Sequence, residues 1–314
     1  MRQIMTRNES INEPLNPYAR WFMLLWLLAV VIASGFRLAK EPTYREQIEE
    51  WHQQRLESLR SENGWLNLAG LYWLKEGVNA VGADPGNDLM FPGGKAPDQL
   101  GTFRLTGGEV TFEAAPGQVV QVDGQPVLAT KTIFAASQTK PVVLSHGSLR
   151  WFVIKRGNRY AIRLRDLESP FLKEFTGIER FPVNEAYRVK ARVERPDKPR
   201  TIPILDITGQ TNQQPLIGTL VFELEGKTHR LDAVGEGGRL FLLFGDETNS
   251  HDTYGSGRFL YADMPGADGL TTLDFNKSIN PPCAFTPYAT CPLPPKQNKL
   301  AIAIPAGEKR YGDH

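Results

Sequence analysis

The chain has 314 residues, room for one large or two medium domains with a full core. Lys and Arg number 36 against 35 Asp and Glu, a formal charge of +1, so there is no field to collect nucleic acid or acidic partners, and nucleic-acid binding is excluded. Gly (29) and Pro (23) are plentiful among short alternating apolar runs, which points to a turn-rich, mainly β fold and away from a helical bundle.

Residues 1–40 read as a cytosolic tail followed by a signal anchor or signal peptide. Trp21 to Phe36 is an uncharged apolar run between Arg20 and Arg37. Its 16 residues span roughly 24 Å as a helix, and counting Leu38 and Ala39 brings it nearer the ~30 Å hydrocarbon core. Trp21 and Trp26 suit an uncleaved interfacial anchor, whereas small residues ending at Ala33 or Gly35 offer cleavage patterns. The expected localisation is therefore a single-pass membrane protein, in contact with the membrane through residues 21–39, with residues 41–314 outside the cytosol. Cleavage would instead leave a periplasmic or secreted protein.

Residues 41–63 form an expected amphipathic helical stalk after Pro42, with Trp51, Leu56 and Leu59 spaced for one face that either lies against the first β unit or stays solvated and lifts that unit off the membrane. Residues 64–168 are expected to form a β-sandwich unit of short strands between turn signals. The strongest is Asp123-Gly124, which suits a type I′ hairpin because both central residues need positive φ. Ser169 to Pro182 is irregular and marks a soft boundary. A second, barrel-like β unit fills 169–314, with strands predicted at Tyr187–Glu194, Leu220–Leu224, Thr228–Val234, Arg239–Phe244, Arg258–Ala262, Leu270–Asn276 and Leu300–Ile304.

Three segments carry a resemblance: GWLNLAGLYWLKEGVNAVGADPGNDL (64–89), TYGSGRFLY (253–261) and DFNKSINPPCAFTPYATCPLPP (274–295). In this order they resemble the signatures of a prokaryotic family of domains of unknown function, DUF1684, over roughly residues 48–310. The resemblance implies a family and no activity. GVNAVGADPGNDLMFP also looks like the opening of a forkhead-associated sandwich, a phosphothreonine-reading module. Ala83 stands where that module places its phosphate-gripping arginine, so only the fold is implied.

The densest polar segment, FGDETNSHDTYGSGRFLY, holds Asp246, Glu247, His251, Asp252, Tyr254 and Arg258 around a loop entering a strand. A carboxylate near His251 would set its tautomer for general-base or metal-ligand work; a solvated hairpin tip explains the same residues. Gly255 and Gly257 around Ser256 suit close approach by a ligand or a β-bulge. Asp274 and Asn276 are expected on one strand face with Thr272, with Arg258 the nearest cation for a buried Asp274. His229, Glu247, His251 and Asp274 are weak metal candidates, and His229 also reads as a satisfied core histidine.

Arg163 and Arg165 share one face of YAIRLRD with Ala161, suited either to gripping a carboxylate or phosphate or to ion pairs with Asp166, Glu168, Glu174 or Glu179. Cys283 and Cys291 lie in a Pro-rich run expected to close as a disulfide.

The leading expectation is a binding module for a small or envelope-associated ligand, drawing on Arg163, Arg180, His251, Tyr254, Arg258 and Asn276, with its pocket where Arg163, Arg180, His251, Arg258 and Asp274 converge. A hydrolase, metal-assisted or carboxylate-driven, using Glu247, His251 and Asp274 is the alternative; a non-catalytic structural envelope protein is the third. The sequence points to no particular cofactor.

Overall fold

The computed structural model describes residues 41–312 together with Tyr18 and Trp21. The expected anchor or signal segment at residues 21–39 lies, Trp21 apart, outside the described residues. Among the described residues no helix is long and apolar enough to cross a membrane.

Helix α1 (Tyr44–Arg60) carries Glu46 in its first turn and Arg60 in its last, each favourable against the helix dipole. It buries Ile48, His52 and Leu59. Leu59 enters a cluster with Leu66, Phe175, Ile178, Ala284 and Phe285, and Arg55 pairs with Glu308 at 3.1 Å. Of the two readings of this helix, the packed one matches the structure, with the C-terminal loops and residues 171–178 supplying most of the surface that the thin apolar stripe meets.

The first β unit contains β1 (Leu68–Trp73), β2 (Gly77–Gly82), β3 (Leu89–Met90), β4 (Gly101–Thr106), β5 (Glu109–Ala114), β6 (Gln121–Val122), β7 (Gln125–Pro126), β8 (Lys131–Phe134), β9 (Leu144–His146), β10 (Leu149–Arg156) and β11 (Arg159–Asp166). They form two sheets, ordered β1-β11-β10-β9-β6-β7 and β3-β2-β4-β5-β8. Period-2 alternation supplies one apolar face from each sheet. Val81, Phe103 and Phe112 from one meet Trp151, Ile162 and Leu164 from the other in a single core. Asp123 and Gly124 have φ of 51° and 74°, the pair of positive values the β6–β7 turn requires.

After the short helix α2 (Pro170–Glu174), the second unit runs through β12 (Arg188–Glu194), β13 (Thr201–Leu205), β14 (Thr211–Leu224), β15 (Lys227–Glu236), β16 (Arg239–Phe244), β17 (Arg258–Ala262) and β18 (Leu270–Asp274). The order β17-β16-β15-β14-β12-β18, with β13 on the start of β14, makes a curled half-barrel whose edge strands β17 and β18 approach each other. Its two faces are both apolar. Leu220, Leu231, Leu242 and Leu273 fill the concave core, while Ile204, Val234, Phe241 and Phe259 form a second cluster.

Two strand expectations are corrected. Leu270–Asn276 ends at Asp274, which caps a 3-10 turn by accepting the Asn276 N–H. Leu300–Ile304 bends at Ala301 and Ile302 and forms no strand: Leu300, Ile302 and Ile304 still alternate into the core, but their backbone groups bond to the Gly245 carbonyl, the Glu247 N–H and the Asp246 carboxylate in turn. Strand β13 was not anticipated, because Pro203 argues against a central strand; it is tolerated because β13 pairs only with β14. Both β units belong to one compact unit, Arg45–His314.

Candidate functional site: a guanidinium-lined cavity

The β10–β11 hairpin directs Trp151, Val153, Ile162 and Leu164 into the sandwich, so Arg156, Ala161, Arg163 and Arg165 emerge on the opposite face. That face is covered rather than wet: Ala161, Arg163 and Arg165 are all buried. The two arginines differ in their partners. Arg165 Nη1 donates to the Gly64 carbonyl and to Asn67 Oδ1, so it braces the turn leading into β1. Arg163 makes one hydrogen bond among the described residues, a long 3.4 Å contact from Nη2 to Thr290 Oγ1, and its buried Nε has none.

The expected ion pairs to Asp166, Glu168, Glu174 or Glu179 do not form. Asp166 and Glu168 pair with Lys95, and Glu179 pairs with Lys309. Arg163 is pushed down to about 10, first by burial and then by the like charges of Arg156 and Arg165. Burial likewise lowers Arg156, with Asp206 partly opposing it. Arg156 Nε donates to the same Thr290 hydroxyl at 3.1 Å, so two guanidiniums converge on one neutral oxygen.

These groups line two adjoining cavities. One, of about 290 Å³, is bounded by Arg163, Arg55, Trp65, Tyr261, Asn280 and the Cys291 end of the Pro-rich loop. The other, of about 370 Å³, is bounded by Lys155, Asp206, Asn212 and Gln214. Arg156, Glu236, Phe241, Thr290 and Pro292 belong to both.

The aromatic wall is rigid. Phe241 stacks on Tyr261 at 4.8 Å and meets Phe259 edge-on at 5.0 Å. Tyr261 donates to Glu236 Oε2 at 2.6 Å, and burial raises its pKa well above the usual tyrosine range, so the phenol stays protonated. Arg55 is already neutralised by Glu308 and also donates to the Asn280 carbonyl. Asn280 Oδ1 and Asp206 Oδ2 are buried acceptors with no hydrogen bond among the described residues. Asp206 Oδ1, in contrast, receives Thr208 N, Thr208 Oγ1 and Gln210 N.

The anticipated convergence of Arg163, Arg180, His251, Arg258 and Asp274 is not observed. Arg180 pairs with Glu49 on α1. Arg258 is wholly buried, bound to Asp246 at 2.7 Å and to the Ile304 carbonyl at 2.9 Å, so Asp246 and not Asp274 is its counterion. Asp274 Oδ1 accepts from the Asn276 backbone and side chain, while Asn276 also holds the Asn184 backbone.

Glu247 and His251 are exposed loop residues, and Tyr254 packs at the edge of the α1 cluster. His229 stacks on Phe222 at 5.6 Å near the β14–β15 turn. Among the described residues no three His, Cys, Asp or Glu side chains are gathered as a metal would need.

A larger cleft of about 770 Å³ includes Glu247, Gly255, Ser256 and Gly257. Its lining carries none of the buried unsatisfied polar atoms found around the arginines. Cys283 and Cys291 are joined as a disulfide, closing the loop that presents Thr290.

The fold and cavity define a class: a mainly β protein with a disulfide-closed loop over a basic, aromatic-walled pocket. Residues 173–309 match the family described as "Protein of unknown function (DUF1684)", and over this segment the chain belongs to that family. The signature at 64–89 lies outside the matched span. An uncharacterized protein of Haloarcula marismortui, solved by NMR, is 33% identical over 45% of this chain and 80% of its own, with a TM-score of 0.39. A structure from a study of phosphothreonine-dependent FHA domain interactions is 16% identical over 30% of this chain and 92% of its own, with a TM-score of 0.21. No curated protein matches the chain.

Proposed function

We propose that the chain is a binding protein for a small organic oxyanion, a carboxylate or a phosphate ester, held by Arg163 and Arg156. The observation that carries this reading is that Arg163 is buried against a cavity with no carboxylate partner among the described residues and a like charge beside it. A buried charge left this way is costly, and an entering anion would offset that cost through charge-assisted, bidentate hydrogen bonds. Phe241 and Tyr261 would flank the ligand's apolar part, as in most small-molecule pockets.

Calorimetric titration of the full chain with inorganic phosphate and with acetate tests this. Binding of either, weakened roughly tenfold or more by Arg163→Met, is expected from the worth of hydrogen bonds to charged groups. Equal affinity in the variant would refute the proposal.

The address belongs to the same reading. The apolar run from Trp21 to Phe36 supports an anchored or exported protein whose β body works outside the cytosol, and the Cys283–Cys291 disulfide supports an oxidising compartment. A C-terminal reporter active only in the cytosol would sink it. The first unit is read as a forkhead-associated-like sandwich on the strength of its two sheets around one core. Ala83 supplies no phosphate-reading guanidinium, so binding is placed at β10–β11 and not at that loop.

A further inference from the structure

The two adjoining cavities differ in charge. Among the described residues, Arg163 at one end lacks a hydrogen-bond partner for Nε, and at the other Asp206, 4% exposed, lacks one for Oδ2. Arg156 stands between them, close enough for Asp206 to act on it electrostatically and close enough to lower Arg163. Arg156 makes no hydrogen bond to Asp206: its Nε is taken by Thr290 and its Nη1 by the Lys155 carbonyl. Glu236, at the wall common to both cavities, adds a second carboxylate, which accepts from the Tyr261 hydroxyl.

A simple anion would satisfy the arginine end and leave the Asp206 oxygen buried and unpaired. A ligand that also donates would satisfy both, and an ammonium is the donor that a buried carboxylate favours. Resting on the oxyanion reading above, we propose that the ligand is a compact ampholyte, with its oxyanion at Arg163 and Arg156 and its amine at Asp206. The aromatic face of Phe241, common to the two cavities, would cover the linker between the two charged ends.

Asp206 is well placed for this role. Its Oδ1 is committed to the turn Asp206–Gln210, so the side chain is held in one orientation with Oδ2 turned away from those donors. Replacing it by Asn keeps an acceptor for the turn and removes the charge that would hold an amine.

The test compares matched pairs on the full chain by calorimetry: glycine with acetate, β-alanine with propionate, γ-aminobutyrate with butyrate, ε-aminocaproate with caproate, and phosphoethanolamine with ethyl phosphate. At least one amine-bearing member is expected to bind roughly tenfold tighter than its partner, the size of one charge-assisted contact. Asp206→Asn is expected to erase that excess, so that the amine-bearing member and its plain partner bind the variant alike. If the anions bind and no amine adds affinity at any length, the ampholyte assignment falls and the oxyanion reading stands. An excess that persists in Asp206→Asn also overturns it. If neither member of any pair binds, the oxyanion reading itself has failed. The comparison of pairs on the unaltered chain decides the matter even where the variant does not fold.

Discussion

Arg258 and Asp246 form an ion pair at 2.7 Å in which both side chains are fully withdrawn from solvent. The guanidinium also donates to the carbonyls of Ile304 and Ala306, and its plane lies over the Phe244 ring. Asp246 Oδ1 in turn accepts from Thr248 N and Oγ1. The pair thus ties the start of β17 to the C-terminal segment and to the loop after β16. Removing one partner strands a buried charge. Arg258→Met and Asp246→Ala are each expected to cost about 3–5 kcal/mol in urea unfolding, with the double variant less costly than their sum. A loss below about 1 kcal/mol for either would show that the remaining charge is solvated.

His52 introduces a pH dependence of stability. It is buried on α1, and desolvation, then Arg180, holds its pKa below the ordinary 6.5, while Glu308 and Glu49 oppose this. As pH falls through about 6.5 the unfolded chain takes up a proton that the folded chain resists, so this contribution to stability is complete above 6.5 and declines below it. The melting temperature should fall more between about pH 7.5 and about pH 5.5 in the unaltered protein than in His52→Gln. Parallel slopes would remove His52 as the cause.

The disulfide should be worth about 2.5 kcal/mol by the entropy of closing so short a loop. Denaturant unfolding with and without reductant, and of Cys283→Ser with Cys291→Ser, measures it. Because the loop presents Thr290 to Arg156 and Arg163, anion affinity should drop in the same samples. Unchanged stability on full reduction would mean that the prolines alone hold the loop.

Gly255 and Gly257 are not equivalent. Gly257 has φ of 92°, and a Cβ there would lie 2.5 Å from Pro294 Cγ and 2.6 Å from the Phe244 carbonyl oxygen. Gly257→Ala should therefore cost about 1–3 kcal/mol or more. At Gly255 the nearest atom is the end of the Ser250 side chain at 3.0 Å, and alanine should be accepted within about 1 kcal/mol. The comparison is made by thermal unfolding; similar losses at both would restore the reading of the pair as one flexible ligand entry.

Much of the fold was legible because its causes are local. The continuous apolar runs along Arg239–Phe244 and Arg258–Ala262 mark strands buried on both faces, and Asp123-Gly124 and Glu225-Gly226 turn because those positions take positive φ. The face shared by Arg163 and Arg165 followed from parity alone. Parity carried across the Gly157-Asn158 turn would also have found Arg156. Asp206, Thr290 and Phe241 carried no comparable signal.

The amino-acid order by itself determined the elements, the turns and the nearness of the two cysteines, all of which depend on neighbours within a few residues. Only the tertiary structure decided which charge meets which. Arg165 is absorbed by a carbonyl 101 positions away and Arg163 reaches a hydroxyl 127 positions away, while Arg258 finds Asp246 rather than Asp274. Strand parity says which way a side chain leaves its sheet. What it meets depends on the long-range packing of the Pro-rich loop against two different sheets, and that is where the basic cavity arises.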